Sequence, residues 1–233
     1  MAEINLTGKV VLITGAGSGF GRSMSKAFCA AGAQVIGVGR RVEKLDETAK
    51  IAGPRFTPMP YDVSKTDEAR ALIAEVIEKL GALHVLVNDA AVMIDNDMPL
   101  SKLSMEKWDT TMLTNVSGMF ALTQAAFEPM REQRFGRIMN VTSGLGFFPM
   151  LEYGSYCISK AAVNMMTRVF ALDGARDNIL VNAIDPGVAR TEMNPTASDS
   201  PDSINKVALF LAALGDKAHS GKCFNKRLQL VEW

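Results

Sequence analysis

The stretch VVLITGAGSGFG, Val10 to Gly21, decides how the rest of this 233-residue chain is read. Five apolar or β-branched residues, Val10-Val11-Leu12-Ile13-Thr14, run straight into Gly15, Gly17, Gly19 and Gly21, and a helical pattern begins at once. A short continuous apolar run closed by a turn is how a strand buried on both faces reads. Glycines, lacking Cβ, let a backbone approach a phosphate closely, and a helix start just beyond them offers unpaired N–H groups to an anion. Strand, glycine turn and helix together predict a pyrophosphate-holding turn. Tight packing alone is the competing explanation for the glycines.

The same alternation continues outward. Apolar runs at Gln34–Gly39, Arg55–Met59, Val85–Asn88, Arg137–Thr142 and Ile179–Ile184 are short and largely continuous. Between them lie helical segments such as Thr66–Leu80, with Ala69, Leu72, Ile73, Val76, Ile77 and Leu80 at helical spacing and Ser64 as a plausible cap. Strands alternating with helices imply right-handed crossovers and a doubly wound α/β sheet with helices on both faces. No linker or internal repeat divides the chain, so one domain over residues 1–233 is expected. The one biased segment, NPTASDSPDS (Asn194–Ser203), reads either as a surface connection before a last helix around Ile204–Leu214 or as a cover over a site.

Composition narrows the partners. Twenty-five Lys and Arg balance twenty-five Asp and Glu, which gives no electrostatic reason to expect nucleic acid or an anionic membrane. A hydrophobic share of 48% excludes a disordered chain. Cys29, Cys157 and Cys223 are odd in number and far apart, so no disulfide framework is implied. The uncharged run Thr110–Phe127 holds too many Thr, Ser, Asn and Gln side chains to sit in lipid. With no export signal at the N-terminus, a cytoplasmic protein is expected.

The glycines do not follow G-x-G-x-x-G, since Phe20 and Arg22 stand where glycine would be required. They read T-G-x-x-x-G-x-G, Thr14-Gly15 to Gly19-Phe20-Gly21, which resembles the short-chain dehydrogenase/reductase family. The resemblance extends from about Thr7 to a last strand near Val231 and implies a Rossmann-type domain with a mostly parallel seven-stranded sheet. A dinucleotide carrying a free ribose 2′-OH calls for an acidic residue at the end of the second strand, whereas a 2′-phosphate calls for a cation. Here the strand ends Gly39-Arg40-Arg41, which favours NADP(H) over NAD(H). Asp62 resembles the family's adenine-contacting Asp, and a turn or capping role fits it as well. Where the family has N-N-A-G, this chain has Asn88-Asp89-Ala90-Ala91, placing a carboxylate where a neutral amide is usual. Asp185-Pro186-Gly187 with Thr191 resembles the family's P-G-x-x-x-T element beside the nicotinamide. The cofactor contacts so implied are Gly15, Gly17, Ser18, Gly19, Phe20, Gly21, Arg40, Arg41, Asp62, Val63, Asn88, Ala90, Tyr156, Lys160, Pro186, Gly187, Val188 and Thr191. No metal site is expected.

Tyr156-Cys157-Ile158-Ser159-Lys160 places a phenol and an ammonium one helical turn apart on one face. A free tyrosine has a pKa of about 10, and a neighbouring cation favours its phenolate. Ser143, thirteen residues earlier at a strand end, stands at the family's serine-to-tyrosine spacing, with Thr142 and Ser155 as rival hydroxyls. Asn115, in the uncharged stretch, resembles the family's asparagine, which holds a water linking the lysine to solvent. The resemblance therefore implies a catalytic set of Ser143, Tyr156, Lys160 and Asn115.

The expected activity is hydride transfer between NADP(H) and a carbonyl or secondary alcohol. Met93, Ile94, Leu145, Phe147, Met150, Tyr153, Val188 and Met193 are candidates for an apolar substrate pocket, with residues 188–203 as a short substrate loop. A 3-oxoacyl-carrier-protein reductase is the alternative within the same chemistry, with Arg131, Arg134 and Arg137 as partial docking charges. A non-catalytic dinucleotide-binding module is the alternative outside it, and a methyltransferase a more distant one. A homodimer or homotetramer using the helices that carry Asn115 and Tyr156 is expected.

Overall fold

The fold is described from a computed structural model covering residues 4–94, 98–216 and 218–232. The apolar runs become strands β1 (Val10–Thr14), β2 (Gln34–Gly39), β3 (Phe56–Pro60), β4 (Val85–Asn88), β5 (Gly136–Val141), β6 (Ile179–Asp185), β7 (Cys223–Asn225) and β8 (Leu230–Val231). Their spatial order is β3-β2-β1-β4-β5-β6-β7-β8, with every pairing parallel except the last. Alternate residues of one strand feed opposite cores: Val11 and Ile13 join Met24, Phe28 and Leu211, whereas Val10 and Leu12 join Leu72, Val76 and Leu122. That two-sided burial is why the strands read as unbroken apolar runs.

Helices cover both faces. On one lie α1 (Gly19–Ala30), α2 (Val42–Ala52) and α7 (Asn205–Ala212). On the other lie α3 (Ala69–Leu80), α5 (Gly118–Glu132) and α6 (Gly154–Asp173), with the short α4 (Met105–Met112) leading into α5. The winding reverses between β1 and β4, and such a reversal opens a crevice at the carboxyl ends of the strands.

Among the described residues the sheet has eight strands rather than the expected seven. The last apolar signal is split in two: Cys223 and Phe224 pair with Val231 and Leu230 across a turn held by the Asn225 side chain, which accepts from the backbone N–H groups of Arg227 and Gln229. A two-residue strand carries no periodicity to be read. Ser64 does not cap a helix over Thr66–Leu80. Its N–H and hydroxyl both donate to Asp62, and the segment starts as a 3₁₀ turn, Thr66–Glu68, before α3. The last helix likewise begins as a 3₁₀ turn, Pro201–Ile204, ahead of α7. Between α4 and α5 the uncharged stretch widens into a π-helical turn, Leu113–Ser117. Cys29, Cys157 and Cys223 are buried and free. Among the described residues no helix is long and apolar enough to cross a membrane.

Candidate active site

The β1–α1 turn folds tightly because its glycines take conformations closed to other residues. Gly15 has φ +70° and Gly19 φ +50°. A Cβ on Gly21 would overlap the Gly15 carbonyl oxygen, so α1 starts hard against the turn. The turn's carbonyls are tied down from behind: Arg22 donates to the Gly17 and Lys44 carbonyls and pairs with Glu47 at 2.8 Å, while the Thr48 hydroxyl donates to the Ala16 carbonyl at 2.9 Å. Ser18, in extended conformation, caps α1 without a side-chain bond to its first turn. Helix-start N–H groups left in this way favour an anion. Arg22 and Thr48 have no sequence signature. They meet only because α1 and α2 pack side by side.

A cleft of about 900 Å³ opens above the strand ends, in the size range of a small-molecule site. Its lining brings together Gly15, Gly17, Ser18, Gly19, Phe20, Arg40, Arg41, Asp62, Val63, Ala90, Ser143, Tyr156, Lys160, Pro186, Gly187, Val188 and Thr191. Three of the expected site residues lie outside it. Gly21 is inside α1, under the turn. Asn88 donates to Thr123 at 3.1 Å and Asn140 at 2.9 Å, in a buried amide–hydroxyl network that continues to Thr167. Asn115 clamps the π-helical turn to the segment after β4: its side chain donates to the Val92 carbonyl and accepts from the Val92 N–H, both at 2.8 Å, and it also donates to Ser159. A side chain bonded across a widened turn is a physical cause for that turn. Asp62 is both a cleft residue and a turn acceptor, through the oxygen bonded to Ser64.

The expected catalytic side chains gather at the end of β5 and the start of α6. Ser143, just past β5, accepts from the Leu145 N–H and stands near enough to Tyr156 to favour its phenolate. Of the rival hydroxyls, Thr142 donates to Asn164 and Ser155 to Thr111. Lys160 is 2% exposed, and its Nζ donates to the Val141 carbonyl at 2.8 Å. Burial pushes the Tyr156 hydroxyl up to about 12, with Ser143 working against it and the Asp89 and Asp185 carboxylates adding to it. A phenol lowered by Lys160 was expected. Instead the ammonium is turned toward Val141, 5.5 Å from the ring centroid, and burial dominates. Burial also lowers Lys160 to about 8, a change opposed by Asp89.

Asp89 is the unusual member. Thr14 Oγ1 accepts from the Asp89 and Ala90 N–H groups at 2.9 and 3.0 Å, tying β4 to β1. Its carboxylate lies under the glycine turn, 2.9 Å from where a Gly21 Cβ would sit and near the Gly21 N–H. Burial raises it to about 7, against the pull of Lys160 and of that N–H.

The segment after β6 closes the other side. The Asp185 carboxylate accepts from the Gly187 N–H, and Thr191 packs its methyl on the glycine turn, 3.2 Å from where a Gly19 Cβ would stand. Glu192, which the sequence did not single out, pairs with Arg41 at 2.6 Å and is held below its ordinary range by that guanidinium. The expected apolar residues all line the cleft except Phe147, in whose place stands Phe148, 73% exposed. Among the described residues no three His, Cys, Asp or Glu side chains converge as metal ligands would.

Comparison with known proteins agrees with this geometry. The sequence pattern of the family described as short chain dehydrogenase matches residues 9–202. A 3-oxoacyl-(acyl-carrier-protein) reductase FabG of Thermotoga maritima is 35% identical over 215 residues, taking in 91% of this chain and 85% of that protein. An NAD-dependent glycerol dehydrogenase of Listeria innocua is 33% identical over 198 residues, 84% of this chain and 76% of that one. Among solved structures, a short-chain type dehydrogenase/reductase from Mycobacterium marinum superposes with a TM-score of 0.88 at 28% identity, covering 96% and 95% of the two chains.

Proposed function

The chain belongs to the short chain dehydrogenase family of oxidoreductases, which use a nicotinamide dinucleotide, and from that premise we propose that it reduces a carbonyl, or oxidises the matching secondary alcohol, with NADP(H) and with Tyr156 as acid and base. The observation that carries the proposal is the gathering of Ser143, Tyr156 and Lys160 in the same cleft as the glycine turn. The cleft fits such a dinucleotide: left-handed glycines, a helix start with open N–H groups and two arginines at the β2 end lie along one wall. When bound, the nicotinamide supplies or takes the hydride.

The chain's own residues handle position and protons. Gly15 to Gly19 bind the pyrophosphate by backbone N–H groups, and Arg40 and Arg41 take the 2′-phosphate. Ser143 donates to the substrate oxygen and steadies the charge that grows there. Tyr156 Oη gives that oxygen its proton in reduction and removes it in oxidation. Lys160 lines the cleft beside Tyr156 with its ammonium anchored on the Val141 carbonyl, and Asn115 holds the π-helical turn that backs α6. The apolar wall, Met93, Ile94, Leu145 and Met150 among it, excludes water and suits an apolar ketone or aldehyde. Residues 188–203 serve as the substrate loop.

The Thermotoga relative favours a second reading, reduction of a 3-oxoacyl thioester on an acidic carrier. Of the three arginines offered for docking, Arg131 is paired to Asp177 at 2.8 Å and Arg137 is 1% exposed with its guanidinium on backbone carbonyls, which leaves Arg134. Free carbonyls are therefore the expected substrates. NADPH and NADH oxidation over aldehydes, ketones, quinones and acyl thioesters decides both points. Turnover with NADPH on free carbonyls is expected. Arg41→Ala should weaken NADPH on the order of 10-fold while sparing NADH, because a charge-assisted bond is worth roughly 1.5–3 kcal/mol. A preference for NADH, or tight NADPH binding with no turnover on any carbonyl, would overturn the respective part.

An exposed apolar face supports assembly. Phe120 on α5 and Met165 and Val169 on α6 are 43%, 55% and 49% exposed around a hollow of about 380 Å³. Contiguous apolar surface of this kind marks an interface. A homodimer or homotetramer through α5 and α6 is the proposal. Sedimentation should report it, and Val169→Asp should drive it toward monomer. A wild-type chain that is monomeric at micromolar concentration would exclude it.

A further inference from the structure

Arg41 already holds an anion that belongs to this chain. Its two terminal nitrogens meet both oxygens of Glu192, Nη2 at 2.6 Å and Nη1 at 3.4 Å, the fork-on-fork arrangement by which guanidinium grips a carboxylate or a phosphate. The partners are 151 residues apart in sequence. Arg41 lies at the end of β2, and Glu192 follows Thr191 on the segment beyond β6, so the pair spans the cleft mouth. Ser18, the cap of α1, completes the cluster: its Oγ accepts from Arg41 Nη2 at 3.4 Å. Glu192 thus rests at the site where a helix start and an arginine converge.

We propose that Glu192 is a built-in competitor for the 2′-phosphate at Arg41, and so a specificity-determining residue that sets how strongly this chain discriminates between phosphorylated and unphosphorylated dinucleotides. The proposal rests on the NADP(H) reading above. Three features support it. The pair is half-exposed, at 49% and 53%, so the carboxylate is free to exchange for a ligand arriving from solvent. An exposed pair of this kind is worth about 1 kcal/mol at most and is displaceable. Lys44, the ammonium nearby, is itself paired with Glu47 at 3.0 Å, so it too meets a phosphate only by exchange. A phosphate that uses Arg41 as well as Arg40 takes Arg41 from Glu192 and settles beside a displaced carboxylate, whereas a ribose 2′-OH donates to that same carboxylate and leaves the pair closed.

Direct titration of the binary complexes tests this without turnover. NADPH and 2′-phospho-ADP-ribose are compared with NADH and ADP-ribose on wild type, Glu192→Gln, Arg41→Gln and the double variant, with melting curves checking that each is folded. Glu192→Gln is expected to tighten the two phosphorylated ligands on the order of 5-fold and to leave the other two unchanged or slightly weaker. In the double variant that gain should vanish, since the competition runs through Arg41. A uniform effect on all four ligands means a structural role for Glu192 and overturns the proposal, as does no effect at all. If Arg41→Gln weakens the phosphorylated ligands selectively while Glu192→Gln does nothing, the competitor idea falls and the NADP(H) reading stands. If Arg41→Gln alters neither pair, both fall.

Discussion

Tyr156→Phe is expected to lower turnover by about 10²- to 10⁴-fold, the usual worth of a positioned acid–base group, while dinucleotide affinity changes little. The substitution removes one oxygen and keeps the ring, which is 8% exposed and packed at the start of α6. What disappears is the hydroxyl beside Ser143 in the cleft. Among the described residues the nearby polar groups are engaged elsewhere: Thr142 is bonded to Asn164 and Ser155 to Thr111, and the Lys160 ammonium points to Val141. Because burial lifts the phenol to about 12, it holds its proton at neutral pH, the state needed to deliver one in reduction. Steady-state kinetics alongside fluorescence titration of NADPH would check both halves. Turnover within 10-fold of wild type would remove Tyr156 from the mechanism.

Asp89→Asn is expected to stabilise the protein at pH 8 by on the order of 3 kcal/mol, and to have almost no effect near pH 4. Burial raises this carboxyl from 3.8 to about 7. Between those values the folded chain holds a proton that the unfolded chain has released, so stability falls as pH rises from about 4 to 7. A tenfold change in proton affinity corresponds to about 1.4 kcal/mol, so a rise of this size sets a ceiling of about 4 kcal/mol, present in full above pH 7. Asparagine still offers an oxygen to the Gly21 N–H and leaves out the charge. For a chain of this length the gain corresponds to about 6–12 °C in melting temperature, read from thermal melts at pH 4.5 and pH 8. An equal or lower melting point at pH 8 would show that the carboxylate is better solvated than its place under the glycine turn implies. The same carboxylate also sits below the expected position of the pyrophosphate, so the uncharged variant should bind dinucleotide at least as well as wild type.

Much of the site was legible because it is built on rigid element ends. Tyr156 and Lys160 are one turn apart on α6, and Ser143 stands at the end of β5, so their spacing in sequence becomes proximity in space with little room for variation. The edge of the sheet was less legible: β8 has two residues and no period, and its existence depends on a turn clamped by Asn225. Asn88 and Asn115 were placed by position in a pattern, but what each amide bonds to is set by elements far away in sequence, Thr123 and Asn140 for the one and Val92 and Ser159 for the other.

Taken alone, the amino-acid order determined the doubly wound α/β architecture, the glycine turn and the hydroxyl–phenol–ammonium set, since local periodicity and glycine's steric freedom act within a few residues. Tertiary structure decided the electrostatics. The depth at which Tyr156, Lys160 and Asp89 are buried sets the direction in which each proton affinity moves, and Arg41 meets Glu192 only because the ends of β2 and β6 open onto one cleft. Burial and long-range pairing are properties of the packed chain, and no window of sequence contains them.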